Sequence, residues 1–277
     1  VEGAETGSQT LRFDPRQLRA GDYRLDIGTA GSTTLVLQTL LPALASLEEA
    51  STVTVIGGTH NLHAPPFEYL DETYRPILGR LGAKLDLRLV RHGFYPKGGG
   101  RLEARVAGPL DREARLALPE RGDIRAIRAT SILAKLPDHI ADRELETLQT
   151  LIDRPLEETR TVRVTETDSP GNALVVEVES EALTETFSVI GRKGLPAEKV
   201  AQQATEQVDD YLDSGAPVGP HLADQLLLPM ALTGGGVYRT NRVTSHTETQ
   251  MALIPEFLPV TFEVSPTERA VTIRVDV

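Results

Sequence analysis

The sequence predicts an α/β protein: a large domain of repeated β-α-β-α-β-β units, interrupted by a smaller inserted α/β domain. Three observations carry this. The element order near the N-terminus, α-β-α-β-β behind one strand, returns near the C-terminus. The first helix of each copy holds Gln, three residues, then Pro: Gln38 to Pro42 and Gln225 to Pro229. The stretch between the copies reads differently and is bounded by "GDIRA" and "DSGAPVGP", turn-rich segments of the kind that separate domains. Residues 1–119 and 215–277 are therefore assigned to the large domain and 120–214 to the insert.

Each element has a local cause. "YRLDIG" alternates as a strand, "GTAGST" turns, and "TLVLQTLLPALASLE" reads as a buried helix. "STVTVIGG" is rich in β-branched residues and reads as a strand. After the loop "THNLHAPP", whose Pro pair suits the first turn of a helix, Phe67, Leu70, Tyr74, Ile77, Leu78 and Leu81 follow helical spacing. "KLDLRLVRHG" and "RLEARVAG" are strands joined by "FYPKGGG". In the insert, "DIRAIRATSILA" is a strand and Ile140, Leu145, Leu148 and Leu151 mark a helix. "TVRVTET", "ALVVEVES" and "TFSVIG" are strands, and Ala197, Val200, Ala204, Val208 and Tyr211 mark another helix. The second copy follows with helix 221–232, strand "GVYRTNRV", helix 246–258, and a hairpin of "PVTFEV" and "AVTIRV".

Composition narrows the function. At 277 residues, 40 % hydrophobic and 25 % charged, the chain is an ordinary globular protein. It has no cysteine, which excludes a disulfide scaffold and thiolate metal sites. No signal peptide and no membrane-length apolar run is read in it, so a cytoplasmic location is expected. It opens on "VEGAETGSQT" without an initiator Met, as expected of a segment of a longer protein. A net charge of −11 argues against non-specific duplex binding, which needs a basic face. A local basic cleft for a nucleotide or an RNA end remains compatible with it. With 4 % aromatic residues and no Trp, a multi-base stacking platform is not expected.

Four groups of residues are candidates for chemistry. "SHTE" places Ser245 as a helix cap and Glu248 three residues on, the capping-box spacing. His246 then occupies the first helical position. The helix end disfavours the imidazolium, leaves a nucleophilic neutral ring, and offers free N–H groups to a phosphate. A solvated histidine at a helix start is the plainer alternative. Gln38 and Asp224-Gln225 interrupt apolar helices, where an unbonded amide is costly. They suit an adenine edge or ribose hydroxyls, or else cap a neighbour or face solvent. The glycine-rich turns "GTAGST", "GGTHN", "YPKGGG" and "TGGG" permit a close phosphate, yet none matches a P-loop or Rossmann fingerprint, and a turn needing positive φ explains each. His60, His63 and His92 lack a clear third-ligand pattern, so no metal ligand is assigned.

Together "GTAGSTTLVLQTLLPAL", "RHGFYPKGGGRLEARV", "HLADQLLLPMAL" and "SHTETQMALIPEFLPV" resemble the RNA 3′-terminal phosphate cyclase family, over the whole chain. The most specific stretch is "HGFYPKGGG", with Gly, two residues, Pro, one residue, then three Gly. The resemblance implies three repeated α/β units with a smaller insert, most of the first repeat being absent here. It implies an ATP-dependent enzyme that converts an RNA 3′-phosphate to a 2′,3′-cyclic phosphate through a covalent histidine–AMP, with Mg²⁺ or Mn²⁺ as the divalent ion. His246 looks like the nucleophile. Gln38 looks like a nucleotide-binding residue, as do His221, Leu222, Ala223, Asp224 and Gln225. The family often has an aromatic at the position of His221, where imidazole must stack instead. A Gly-rich strand–loop–helix with a carboxylate and basic residues opens family members and is not read in this chain. An exposed sheet edge or unsealed core is expected in its place.

The rival readings are a cyclase-like scaffold in ribosome assembly, an enolpyruvyl transferase of similar repeat architecture, and an inactive truncated cyclase. The intact nucleotide motif and His246 separate the enzyme from the first. The second requires a dense Arg and Lys set and no histidine nucleophile. Likeness of fold by itself does not decide among them.

Overall fold

The computed structural model describes residues 1–277. Its first repeat holds β1 (Asp22–Asp26), α1 (Thr33–Ala45), β2 (Ser51–Gly57), α2 (Arg75–Arg80), β3 (Lys84–Arg91) and β4 (Gly100–Ala107). The sheet order is β1-β2-β4-β3, with β1 and β2 parallel and the other pairs antiparallel. A π-helical turn, Tyr69–Tyr74, opens the segment expected to be plain helix. Pro76 has no N–H for the Glu72 carbonyl. The preceding turn is wider, and the Arg75 N–H bonds the Leu70 carbonyl.

The second repeat begins with a strand that the sequence reading missed, β5 (Leu116–Leu118). Three residues are too few to show a period. The insert follows with β6 (Ile124–Ala134), α3 (His139–Leu151), β7 (Glu158–Val164), β8 (Gly171–Ser180), β9 (Thr184–Ile190) and α4 (Ala197–Ser214). The repeat resumes with α5 (Pro220–Ala231), β10 (Gly236–Thr240), α6 (Ser245–Leu253), β11 (Thr261–Pro266) and β12 (Val271–Asp276). The helix expected over 246–258 ends early in a 3₁₀ turn, Ile254–Glu256, where Pro255 cannot supply an N–H.

The second sheet runs β5-β10-β12-β11, with β5 and β10 parallel and the rest antiparallel. Strand for strand this matches the first sheet. Even the isolated parallel bridges match: Ser32 with Gly58 before α1, and Val218 with Thr240 before α5. The insert thus occupies the strand-to-helix connection that in the first repeat is the short turn 27–32. Its own sheet has order β7-β6-β8-β9, with α3 packed against α4.

The two repeats share one hydrophobic core. Leu37 and Leu41 of α1, Val53 and Val55 of β2, Leu226 and Met230 of α5, Tyr238 of β10 and Ile273 of β12 all belong to it. The insert has a separate core that includes Leu148, Val176 and Val208. A small third cluster joins them: Phe94, from the β3–β4 turn, packs on Ile132, Ala134, Val164, Ala173 and Val175 of the insert. Two polar contacts flank it. Arg91 forms a bidentate pair with Asp168 at 3.0 and 3.2 Å, and Thr73 Oγ1 donates to Thr186 Oγ1 at 2.9 Å. Arg121, at the entry to the insert, donates to the carbonyls of Tyr211 and Leu212 at its exit, so the two chain crossings are held together. β1 is an outer strand and mostly exposed. No helix is long and apolar enough to cross a membrane.

Gly171 leaves no room beside the Phe94 ring, because a Cβ there would stand 2.1 Å from it. Removing the ring empties the seam between the two cores. Phe94→Ala is expected to lower unfolding stability by about 3 kcal/mol, read from the urea midpoint, and to speed proteolytic clipping between large domain and insert.

Candidate functional site

α6 starts one residue earlier than the sequence suggested. The cap is Thr244, not Ser245, and its partner is Thr247, not Glu248. The Thr247 N–H donates to Thr244 Oγ1 at 3.2 Å and the Thr244 N–H to Thr247 Oγ1 at 3.4 Å. Thr247 is buried, so its methyl packs inward while its hydroxyl reaches back; Glu248 faces solvent. His246 consequently stands at the second helical position, exposed. The N–H groups of Ser245 and His246 precede the first intrahelical bond and point out of the helix end.

α5 starts after Gly219, with Pro220 in its first turn, where the missing N–H costs nothing. His221 and Asp224 lie three residues apart, on one face. α6 packs on α5, and Gln250 Nε2 donates to Asp224 Oδ2 at 3.4 Å. Gln250 is one turn beyond His246, so the same face of α6 presents the His246 ring toward the start of α5. The electrostatics agree with this placement. Burial raises the Asp224 carboxyl to about 6, and the charge of His246 opposes that rise. His221 is lowered, first by surrounding protein and then by Arg242 and His246. Arg242 is itself held by Asp210 of α4 at 3.1 Å. His246, His221, Asp224 and Arg242 thus form one group where the second repeat meets the insert.

The two expected glutamines meet each other. Gln38 Nε2 donates to Gln225 Oε1 at 2.5 Å, and the Tyr69 hydroxyl donates to the same oxygen at 2.7 Å. That oxygen is therefore spent inside the protein, while Gln38 Oε1 and Gln225 Nε2 keep capacity for another partner. Leu222 and Ala223 are fully buried. Their side chains belong to the core, and the Ala223 carbonyl accepts from Tyr238 at 2.6 Å.

Positive φ accounts for glycines in three of the glycine-rich turns, Gly28, Gly98, Gly99, Gly235 and Gly236, but for neither Gly57 nor Gly58 of "GGTHN", where close packing takes its place. Three of the four turns pack backbone to backbone: the Gly58 N–H donates to the Gly31 carbonyl and the Thr33 N–H to the Gly58 carbonyl, at 2.8 and 2.9 Å. A Cβ at Gly93 would meet the Gly57 carbonyl and the Gly100 nitrogen, each at 2.4 Å. The glycines serve this close approach. His60 is buried with both ring nitrogens engaged, by Thr59 at 2.9 Å and Glu68 at 3.0 Å, and its ring stacks on His92. Burial, then the charge of His60, push His92 down to about 4. His63 stands exposed at φ 61°. No three His, Asp or Glu side chains are grouped to hold a metal ion.

Tyr69, Arg242 and Gln250 join the site without standing out in the sequence, and so does a buried carboxyl. Glu185, on β9, is 2 % exposed. Its carboxylate lies under the start of α5, where a Cβ at Gly219 would come within 2.6 Å of Oε1. Oε2 has no hydrogen-bond partner. Burial raises the carboxyl to about 8, against a bond from the Gly219 N–H. The only signal in the sequence is a Glu within the run "TETFSVI", which alternation alone leaves ambiguous between faces.

The family model described as RNA 3′-terminal phosphate cyclase matches residues 1–264. An RNA 3′-terminal phosphate cyclase of Koribacter versatilis is 48 % identical over 268 residues, 97 % of this chain and 75 % of that protein. One of Pseudomonas fluorescens is 49 % identical over 264 residues, covering 95 % and 77 %. One of Salmonella agona is 44 % identical over 275 residues, covering 99 % and 79 %.

The buried carboxyls fix a pH dependence. A carboxyl raised by folding keeps its proton in the native state while the unfolded chain loses it, so stability falls as pH rises between the two values. For Asp224 that window closes near pH 6; for Glu185 it extends to about pH 8. The melting temperature should therefore drop between pH 6.5 and 8 in the parent chain. In Glu185→Gln the drop should flatten, a difference that thermal melts across this range will read.

Proposed function

The chain belongs to the RNA 3′-terminal phosphate cyclase family, and from that premise we propose that it uses ATP to close an RNA 3′-terminal phosphate into a 2′,3′-cyclic phosphate, with His246 as nucleophile. The observation that supports this is the position of His246: an exposed residue on the first turn of α6, one turn before Gln250, whose amide reaches Asp224 of α5.

In the first step a ring nitrogen of His246 attacks the α-phosphorus of ATP. An N–P bond forms, the bond to the β-bridging oxygen breaks, and pyrophosphate leaves with the electron pair. The imidazole gains positive charge as it bonds to phosphorus. The Asp224 carboxylate, ionised above about pH 6, stabilises that charge. The α6 N-terminus and Arg242 face the phosphates. A neutral His221 ring offers a face to adenine, and the free amide atoms of Gln38 and Gln225 offer polar contacts. Leu222 and Ala223 hold this helix in the core.

In the second step an oxygen of the RNA 3′-phosphate attacks the adenylyl phosphorus and His246 departs, its N–P bond broken. In the third the 2′-hydroxyl oxygen attacks the terminal RNA phosphorus and AMP leaves. The hydroxyl proton passes to solvent. Splitting one condensation this way lowers each barrier, and the last step is intramolecular, so its effective molarity is high. The chain's own side chains do not group into a Mg²⁺ or Mn²⁺ site, and none of these steps is routed through an ion.

Incubation with α-labelled ATP and an acid quench tests the first step. A labelled protein band is expected, absent in His246→Ala. Asp224→Asn should slow its appearance by about tenfold, corresponding to roughly 1.4 kcal/mol on the barrier. A scaffold without chemistry gives no band. An RNA ending in a 2′-deoxy 3′-phosphate should accumulate as the adenylated species, since the attacking hydroxyl is missing; a cyclised product from it refutes the mechanism.

A further inference from the structure

The β3–β4 turn takes no part in the group around His246, yet it is rigidly held and carries an exposed aromatic ring. Tyr95 is 80 % exposed, directly after buried Phe94. The Gly98 N–H closes the turn on the Phe94 carbonyl at 2.9 Å. At Gly98, φ +70°, a Cβ would stand 2.6 Å from the Thr29 carbonyl. The turn is therefore wedged between the insert and the strand-to-helix loop of the first repeat, and it presents the Tyr95 ring outward.

The charge around it is positive in a chain that is acidic overall. Asp168 is neutralised by its bidentate pair with Arg91. Lys97 and Lys135 both lie close enough to act on the same carboxylate, and the Lys97 N–H donates to Ser169 Oγ at 3.1 Å. Ala134 pairs with Gly171 and the Gly191 N–H bonds the Asn172 carbonyl, so Lys135, Arg192 and Lys193 leave the insert sheet at this same end. Apart from Asp168, the β7–β8 loop there brings one other acid, Glu166.

We propose that this seam binds the single-stranded body of the RNA, upstream of the reacting end: an unpaired base stacks on Tyr95 while backbone phosphates meet Lys97 and Lys135. The proposal rests on the reading of RNA as substrate. An isolated ring flanked by cations suits a base and its phosphates. A protein hot spot would set the ring in an apolar, water-excluded patch, and here its rim is charged.

The test is binding of 3′-phosphorylated, unstructured oligoribonucleotides, from about two to about ten residues long, by fluorescence anisotropy without ATP. Affinity for the parent chain should rise with length. Tyr95→Ala should remove about tenfold of that gain, and Tyr95→Trp should restore it. The double variant K97E/K135E should remove the gain and reduce the salt dependence. The dinucleotide should bind every variant alike, and labelling by ATP should not change. Equal length dependence in parent and variants overturns the proposal, as does an equal loss at all lengths. Binding is read apart from labelling, so a chain that never forms the histidine adduct still decides the matter.

Discussion

Everything at the junction hangs on one half-buried hydrogen-bonded group: Gln38, Gln225 and the buried Tyr69. An amide inside a helix bundle costs several kcal/mol if left unpaired. Here the Gln225 carbonyl takes two donors, one from each of two segments of the first repeat. Gln38 is the sixth residue of α1 and Gln225 the sixth of α5, so the contact joins equivalent points of the two repeats. With α5 fixed on α1, α6 is in turn held on α5, where Gln250 reaches Asp224 one turn beyond His246. The apolar core supplies the adhesion; this polar contact supplies the register.

The insert acts on the same helix from the other side. It enters at the connection that leads into α5, and Glu185 of its edge strand β9 lies beneath Gly219. Arg242 reaches from the second repeat to Asp210 of α4. α5 is therefore clamped between a glutamine of the first repeat and a carboxyl of the insert. Both partners are polar, and one carboxyl oxygen is unsatisfied. An unpaired buried oxygen of this kind costs stability, and it sits beneath the start of the helix that carries His221 and Asp224.

The acidic balance of the chain and its local cations divide between surfaces. Ion pairs stand at the two seams where the insert meets the repeats, Arg91–Asp168 at one and Arg242–Asp210 at the other, and Lys97 and Lys135 lie beside the first. Net charge alone gave no hint of this division, because it averages over faces.

The periodic segments were legible in the chain itself: α1, β2, β8, α4 and the closing hairpin follow from patterns of 3.6 and 2 that local sterics impose. So was the doubled Gln-x-x-x-Pro helix, and with it the repeat. His246 stood out because a polar capping run precedes it. Tertiary structure decided the rest. β5 exists because β10 pairs with it, not because three residues prefer it. The cap fell on Thr244 because Thr247 is buried, which no local rule sees. The glycine turns and the glutamine pair found each other across the chain, and Glu185 became a group of the junction only when two domains closed over it. Local sequence sets backbone preference over a few residues; which polar atoms lose water together depends on segments brought together from far apart, and that is settled only by the packed fold.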